Sequence, residues 1–380
     1  MSKEDSFKKL ISGEVTGPIG SIARGGLSLL SKVYEQGVEI RNLKFDKGEM
    51  VTTVAAPVIS VGNLTAGGTG KTPMVRYICE FLAANSYKPA ILSRGYKAKD
   101  TTDSIVVSKE GKLLVDATVS GDEAWLLARS LPTVSVVIGR KRVISAELAI
   151  STLGSDVLIL DDGFQHRSLG RDFDVVLIDA TNPFGYEHVI PRGLLREPIK
   201  GLQRADCIVL TKSNHVSTVE VRKLKERIRS LVPNVPIVET IHAPMTLTAL
   251  NAWREGHIIS CLDEQNKGYK DMNFLAVSGI GNPQSFMNTI TEAGLHAIAH
   301  YAFGDHHQYS DDDVITIWKE AFAKGANGII ITEKDAVKLS QLSSMADLKM
   351  PVLVLGIGIL FTEGEVLFTS LLEKTIKKGC

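Results

Sequence analysis

The segment Gly67-Gly68-Thr69-Gly70-Lys71-Thr72 gathers three glycines, two hydroxyls and a lysine. These are the ingredients of a phosphate site. Glycines let the backbone curl until successive N–H groups point inward at an anion, and a helix that starts there adds the positive end of its dipole. In that frame Lys71 reaches the β- and γ-phosphates of a nucleotide, and the Thr72 hydroxyl ligates Mg²⁺. Pro73 suits a first helical turn, where its missing N–H costs little. The strict pattern has glycine at position 65, where Thr65 stands; the bland alternative is an ordinary glycine-rich turn.

A second element points the same way. The apolar run Val157-Leu158-Ile159-Leu160 ends in Asp161-Asp162-Gly163. A buried strand that delivers carboxylates to its C-terminal edge is the arrangement that holds the metal in phosphoryl-transfer proteins. That edge is also where ligands bind in parallel sheets.

Other polar clusters keep two readings open. His166, just after Asp162, is either a solvated loop residue or a group beside the metal edge. Pro191-Arg192-Gly193-Leu194-Leu195-Arg196-Glu197-Pro198 is a proline-bounded loop whose arginines suit bidentate phosphate contacts. Gly139-Arg140-Lys141-Arg142 is an anion grip or a solvated helix start. Asp122 is a helix-start acid or a general base. In Phe303-Gly304-Asp305-His306-His307 neighbouring side chains point apart, which favours one catalytic histidine over a metal pair. Thr332 reads as an N-cap for Glu333-Lys334-Asp335, with Lys334 a further phosphate contact.

The elements that must position these residues alternate. The strand Val54–Val61 precedes the loop, and a helix over about 71–84 follows it. Strands are expected at Pro89–Ser93, Val134–Ile138, Asp156–Leu160, Asp174–Ile178 and Cys207–Leu210. A hairpin is expected across Glu110–Gly111, and helices at Asp122–Leu131, Lys141–Thr152 and Val219–Leu231. Short, continuously apolar strands are those of parallel sheets covered on both faces. The class is therefore α/β: a phosphate-loop, doubly wound parallel-sheet domain with a second, smaller α/β lobe. Two short extended pieces and a polar insertion, about Asn251–Asp271, interrupt the alternation. It then resumes at Phe274–Val277, a helix from Pro283, Ile329–Ile331, a helix from Glu333, and Val352–Leu355. The division falls near residue 245: an N-terminal segment 1–45, a nucleotide-binding domain 46–245 and a second lobe 246–380.

Composition sets limits. The 380 residues suit two or three domains at about 150 residues each. Hydrophobic residues are 44% and charged residues 23%, ordinary for a globular chain. Lys plus Arg and Asp plus Glu are both 43, for zero net charge, which argues against a nucleic-acid coat. The four cysteines show no CxxC spacing, and Cys79 and Cys207 sit in apolar runs as buried thiols. The start MSKEDSFKKL lacks the apolar core of a signal peptide. Between Gly17 and Lys44, residues Ile22, Leu27, Leu30, Val33, Tyr34 and Val38 form a broken helical stripe interleaved with Arg24, Lys32 and Arg41. Such a helix lies in a membrane interface or packs on its own domain.

Taken together, the motifs resemble the tetraacyldisaccharide 4′-kinases, the lipid A 4′-kinases of Gram-negative bacteria. The resemblance rests on Gly62-Asn63 with Gly67 to Pro73, Leu92-Ser93-Arg94-Gly95-Tyr96, Gly121-Asp122-Glu123 and Asp161-Asp162-Gly163-Phe164-Gln165-His166. It rests equally on Pro191-Arg192-Gly193 with Leu195-Arg196-Glu197, Gly279-Ile280-Gly281-Asn282-Pro283, Phe303 with Asp305-His306, and Thr332-Glu333-Lys334-Asp335. That family uses the variant loop with Thr65. The resemblance implies an ATP- and Mg²⁺-dependent kinase acting on the 4′-hydroxyl of an acylated glucosamine disaccharide 1-phosphate to give lipid IVA. It also implies two α/β/α lobes on a short two-stranded linker and peripheral attachment at the cytoplasmic face of the inner membrane, with no nucleic-acid partner.

On the same resemblance, Gly67, Gly68, Thr69, Gly70, Lys71 and Thr72 bind the nucleotide. Thr72, Asp161, Asp162 and Glu197 organise the metal. Asp122 is the base, partnered by His306 from the other lobe. Arg142, His166, Arg192 and Arg196 contact phosphate or sugar. One rival is an ATPase switch that recruits partners to membranes without phosphorylating lipid; its loop resembles that of partitioning-type ATPases, but Ala66 stands where those carry a signature lysine. The other rival is a cytosolic small-molecule kinase or ligase.

Overall fold

The computed structural model describes residues 3–95, 104–256, 267–305 and 307–379. In chain order the strands are β1 Val58–Asn63, β2 Pro89–Ser93, β3 Ile105–Lys109, β4 Lys112–Leu113, β5 Ser135–Ile138, β6 Val157–Asp161 and β7 Phe173–Asp179. They continue as β8 Cys207–Thr211, β9 Ile237–Ala249, β10 Asn273–Ser278, β11 His296–Ala302, β12 Gly328–Thr332 and β13 Val352–Glu363. The chain divides into two compact units and passes between them four times: residues 1–94, 139–241 and 361–380 form the first, residues 95–138 and 242–360 the second.

In the first unit the strand order is β9-β8-β7-β1-β6-β2, and every adjacent pair is parallel. β1, β2, β6 and β8 are buried along their whole length, which is why their sequences read as unbroken apolar runs. In the second unit β10 is flanked by β11 and β12, and β12 pairs with β13, all parallel. The expected hairpin is present as antiparallel β3 and β4, with β5 antiparallel to β3.

The units are not the contiguous halves that a single division near residue 245 describes. Residues 95–138 fold with the second unit because Ala117 and Leu126 are buried in one cluster with Val277, Ile331 and Val337. The C-terminal segment returns to the first unit. There Tyr77 meets Phe361 and Phe368 at ring-centroid distances of 4.9 and 6.3 Å and donates a 2.7 Å hydrogen bond to Glu365. Where two short extended pieces are expected around residue 240, a single 13-residue strand, β9, runs through.

The N-terminal stripe becomes one 29-residue helix, Pro18–Asp46, with its proline in the first turn. Gly25, Gly26 and Gly37 do not interrupt it. Its orientation is the reverse of a core helix. Ile19, Ile22, Leu29, Leu30, Val33, Ile40 and Leu43 are exposed, while the face turned to the unit is largely polar. Ser31 Oγ donates to the Val189 carbonyl at 2.8 Å and Tyr34 Oη donates to the Arg196 carbonyl at 2.9 Å; ahead of this helix, the helix Lys3–Ser12 is held by Arg192 Nη1, which donates to the Ile11 carbonyl at 2.7 Å. Among the described residues, no helix is long and apolar enough to cross a membrane.

Candidate active site

In the first unit β1 and β6 pair in parallel with Val61 beside Asp161. This register brings the loop after β1 and the carboxylates after β6 to the same sheet edge. The helix Lys71–Ala84 begins directly after the loop, and its N-cap Gly70 has φ 93°, a left-handed value that glycine alone adopts without strain. Gly62 serves close approach instead: a Cβ there would lie 2.6 Å from Phe164 Cβ. The missing glycine at position 65 is also explained. Thr65 pairs as a β-bridge with Leu195 and is absent from the positive-φ positions, so its backbone needs no glycine.

Lys71 Nζ donates to Asn63 Oδ1 at 3.3 Å and lies 3.5 Å from Asp162 Oδ1. Arg196 Nη1 reaches both Asp162 oxygens at 2.8 Å. Burial pushes the Asp162 carboxyl up, but the charges of Lys71 and Arg196 outweigh it and hold the group below its ordinary value. Asp161 is buried and accepts a 3.1 Å hydrogen bond from Ser93 Oγ. The Thr69 hydroxyl is buried inside the loop with no hydrogen-bond partner. An orphaned donor in a cradle of N–H groups and a lysine fits an oxyanion.

The Pro191–Pro198 loop is sewn to the phosphate loop through its backbone. Ala66 N donates to the Leu194 carbonyl and Arg196 N to the Leu64 carbonyl, each at 2.7 Å. Arg196 therefore faces the site. Arg192 does not: it anchors the N-terminal segment through Ile11, and its backbone N–H donates to Ser31 Oγ at 2.9 Å.

Glu197 also departs from expectation. It is 1% exposed, and both its oxygens are taken by Arg204 at 2.9 and 2.8 Å. Gln165 adds a 3.0 Å hydrogen bond and Asn42 one of 3.3 Å. A carboxylate so saturated is a buried brace for these loops, not a ready metal ligand.

Arg142 is buried and its guanidinium donates to the Gly139 carbonyl. Burial lowers it to about 10, while Asp161 and Asp162 pull it back up. His166 sits near Arg142, Arg171, Arg94 and Arg41, and burial first, then those charges, lowers it to about 4. It is a neutral ring at pH 7, 3.0 Å from Ser168 Oγ.

Lys212 carries no sequence motif that flags it. It follows β8 in a left-handed conformation, ion-pairs with Asp179 and donates to the Gly68 carbonyl at 2.9 Å. Thr211 Oγ1 donates to the Thr69 carbonyl at 2.9 Å. The end of β8 thus holds the phosphate loop by the carbonyls of Gly68 and Thr69.

In the second unit Asp122 opens the helix Asp122–Ser130. Its Oδ2 lies 3.2 Å from Lys338 Nζ, and Lys338 also donates to the His307 carbonyl at 2.9 Å. Glu123 pairs with Lys334 at 2.5 Å, so Lys334 has a carboxylate partner within the unit. Thr332 is the expected N-cap, accepting from Asp335 N. Asp335 is a buried hub that accepts from Tyr309 Oη at 2.9 Å and Gly279 N at 3.0 Å.

His307 is stacked on Phe303, with ring centroids 4.4 Å apart, and its Nε2 lies 3.1 Å from Asp313. His306, the expected partner of Asp122, lies outside the described residues. Asp122 belongs to the second unit, as do the described neighbours Asp305 and His307.

Comparison with known proteins bears on these motifs. The family described as tetraacyldisaccharide-1-P 4′-kinase matches residues 24–377. A tetraacyldisaccharide 4′-kinase of Anaeromyxobacter dehalogenans is 38% identical over 327 residues, covering 86% of this chain and 84% of that protein. One from Halothermothrix orenii is 37% identical over 338 residues, covering 88% of each. The crystal structure of LpxK from Aquifex aeolicus in complex with ATP superposes with a TM-score of 0.72 at 29% identity, covering 93% of this chain and 99% of that one.

Proposed function

The chain belongs to the tetraacyldisaccharide-1-P 4′-kinase family, and on that premise we propose that it transfers the γ-phosphoryl group of ATP to the 4′-hydroxyl of a tetraacylated glucosamine disaccharide 1-phosphate, giving lipid IVA and ADP. The observation that carries the reading is the meeting of Lys71, Arg196 and Asp162 at the paired ends of β1 and β6. The partner-recruiting switch and the soluble-acceptor kinase or ligase both give way to membership in a family of lipid kinases.

Phosphoryl transfer asks the protein for charge neutralisation, alignment and a proton acceptor. The loop N–H groups, the unpartnered Thr69 hydroxyl and Lys71 serve the phosphates, and Arg196 supplies a second cation to the developing charge. The Thr72 hydroxyl, Asp161 and Asp162 are hard oxygen donors of the kind Mg²⁺ takes, and they are the residues that would hold it. Bound there, Mg²⁺ would neutralise phosphate charge. Glu197, saturated by Arg204, Gln165 and Asn42, stays outside that set. Asp122 takes the proton of the 4′-hydroxyl as the new O–P bond forms and the bond to the departing ADP oxygen breaks, with His306 as its partner.

An acylated acceptor leaves a bilayer only at about 0.8 kcal/mol per buried CH₂, so the enzyme must come to the membrane. The outward apolar face of the helix Pro18–Asp46 supports a peripheral position at the cytoplasmic face of the inner membrane. The direct test incubates the purified protein with labelled ATP and the acylated disaccharide 1-phosphate, then separates lipids by thin-layer chromatography. Label in a more polar lipid is the expected outcome. Label only in inorganic phosphate would refute the reading.

A further inference from the structure

Lys338 lies in the helix Glu333–Leu339 of the second unit, has no place in the mechanism above, and its side chain is only 9% exposed. A lysine seldom occupies such a position without a task. Its ammonium meets two groups far apart in the sequence, Asp122 Oδ2 at 3.2 Å and the His307 carbonyl at 2.9 Å.

The helix that carries Lys338 is itself fixed. Thr332 caps it, and Asp335 at its start ties it to Gly279 N and Tyr309 Oη. Val337 and Leu339, on either side of Lys338, are fully buried. One turn earlier Lys334 pairs with Glu123, the neighbour of Asp122. Two lysines spaced by four residues share a helix face, and here they grip two consecutive acids at the start of another helix. The inner pair is the more buried: side-chain exposures are 9% and 21% for Lys338 and Asp122, against 40% and 34% for Lys334 and Glu123. A surface pair contributes little; a buried pair bound to a rigid helix fixes where a carboxylate points.

We propose that Lys338 is a positioning residue for phosphoryl transfer: it holds the Asp122 carboxylate against the chain segment at His307, so that the proton acceptor is set before the acceptor alcohol arrives. The proposal rests on Asp122 being the proton acceptor. Lys338 touches no reacting atom and acts through Asp122. Misplacing a reacting group by about 1 Å costs on the order of a hundredfold in rate, so the effect belongs in kcat and not in ATP binding.

The test is a double-mutant cycle on the full chain with labelled ATP and the acylated acceptor, reading kcat, both KM values and Tm. Lys338→Met keeps length and packing but removes the charge. It is expected to lower kcat by roughly tenfold to a hundredfold with KM for ATP within about twofold. In an Asp122→Asn background it is expected to add less than about twofold. If Lys338→Met melts too low to assay, Lys338→Gln carries the same test, because it keeps a donor for the His307 carbonyl and lacks the charge.

A well-folded Lys338 variant with wild-type kcat, or losses that multiply in the double mutant, overturns the proposal and leaves Asp122 as the base. A wild-type kcat in Asp122→Asn overturns the base reading itself, and the positioning role with it. The two failures are thereby told apart.

Discussion

Two lysine–carboxylate pairs, one in each unit, look alike on paper and differ in kind. In the first unit Lys71 and Arg196 share Asp162, and all three groups keep some contact with solvent, with Asp162 37% exposed. In the second, Lys338 is shared between Asp122 and a backbone carbonyl and is nearly sealed. The first arrangement is exchangeable: a polyanion can draw either cation away, because excess positive charge sits on one carboxylate. The second is a fixture, since a buried ammonium cannot leave its partners without being stranded. Binding chemistry wants the first, and the proposed role of Asp122 as base wants the second.

The largest effect should come from the exchangeable pair. Lys71→Ala removes a preorganised cation at the transferring group, and a loss of about 3 kcal/mol, more than a hundredfold in kcat, is expected. Near-normal turnover in a folded variant would break the phosphate-loop assignment. Lys212→Met should come next. Lys212 holds the loop by the Gly68 carbonyl and pairs with Asp179, so its loss should raise KM for ATP about tenfold while changing kcat less. An unchanged KM would reduce Lys212 to an ordinary buried ion pair.

The N-terminal helix sharpens the contrast between surfaces that bind and surfaces that hold. Replacing Ile22, Leu29, Leu30 and Val33 by Ser should move the protein from vesicles to supernatant with Tm nearly unchanged, because those side chains are exposed. Tyr34 is left alone, because its hydroxyl serves the Arg196 carbonyl. A fall in Tm without any change in vesicle partitioning would show a packed helix instead.

The smallest effect concerns His166, whose value falls from 6.5 to about 4 in the fold. The unfolded chain therefore takes up its proton first as pH drops, so stability should decline from about pH 6.5 down to about 4 and level off below. His166→Gln should flatten that part of the Tm–pH curve. An unchanged slope would place His166 in open solvent.

Much of the first unit was legible because its physics is local. Continuous apolar runs marked β2, β6, β7 and β8, and the glycines with Lys71 marked the loop between β1 and its helix. Legibility failed where tertiary packing decides. Residues 95–138 carry no signal that Leu126 will pack with Ile331. β11 was missed because its residues are half-exposed and His-rich. The helix Asp311–Lys324 was also missed, although the reciprocal cap of Ser310 and Asp313 that starts it was there to be read.

At the site, spacing identified Asp162 and Arg196 but could not tell that Glu197 would be saturated by Arg204 or that Arg192 would turn to Ile11. Lys212 and Lys338 were invisible, because a lone lysine after a strand or within a helix reads as a solvated charge. An apolar stripe likewise does not say whether it faces protein or solvent, and in the helix Pro18–Asp46 Ile22, Leu30 and Val33 face out while Val38 is buried.

The most direct test of a division of labour between the two units sets ATP affinity beside the single-turnover rate of transfer to the acylated acceptor, for Lys71→Ala and Asp122→Asn side by side. The account predicts that Lys71→Ala weakens both, whereas Asp122→Asn keeps Kd for ATP within about twofold and loses the transfer step. Transfer at the wild-type rate by Asp122→Asn, or a loss of ATP affinity as large as that of Lys71→Ala, would contradict it.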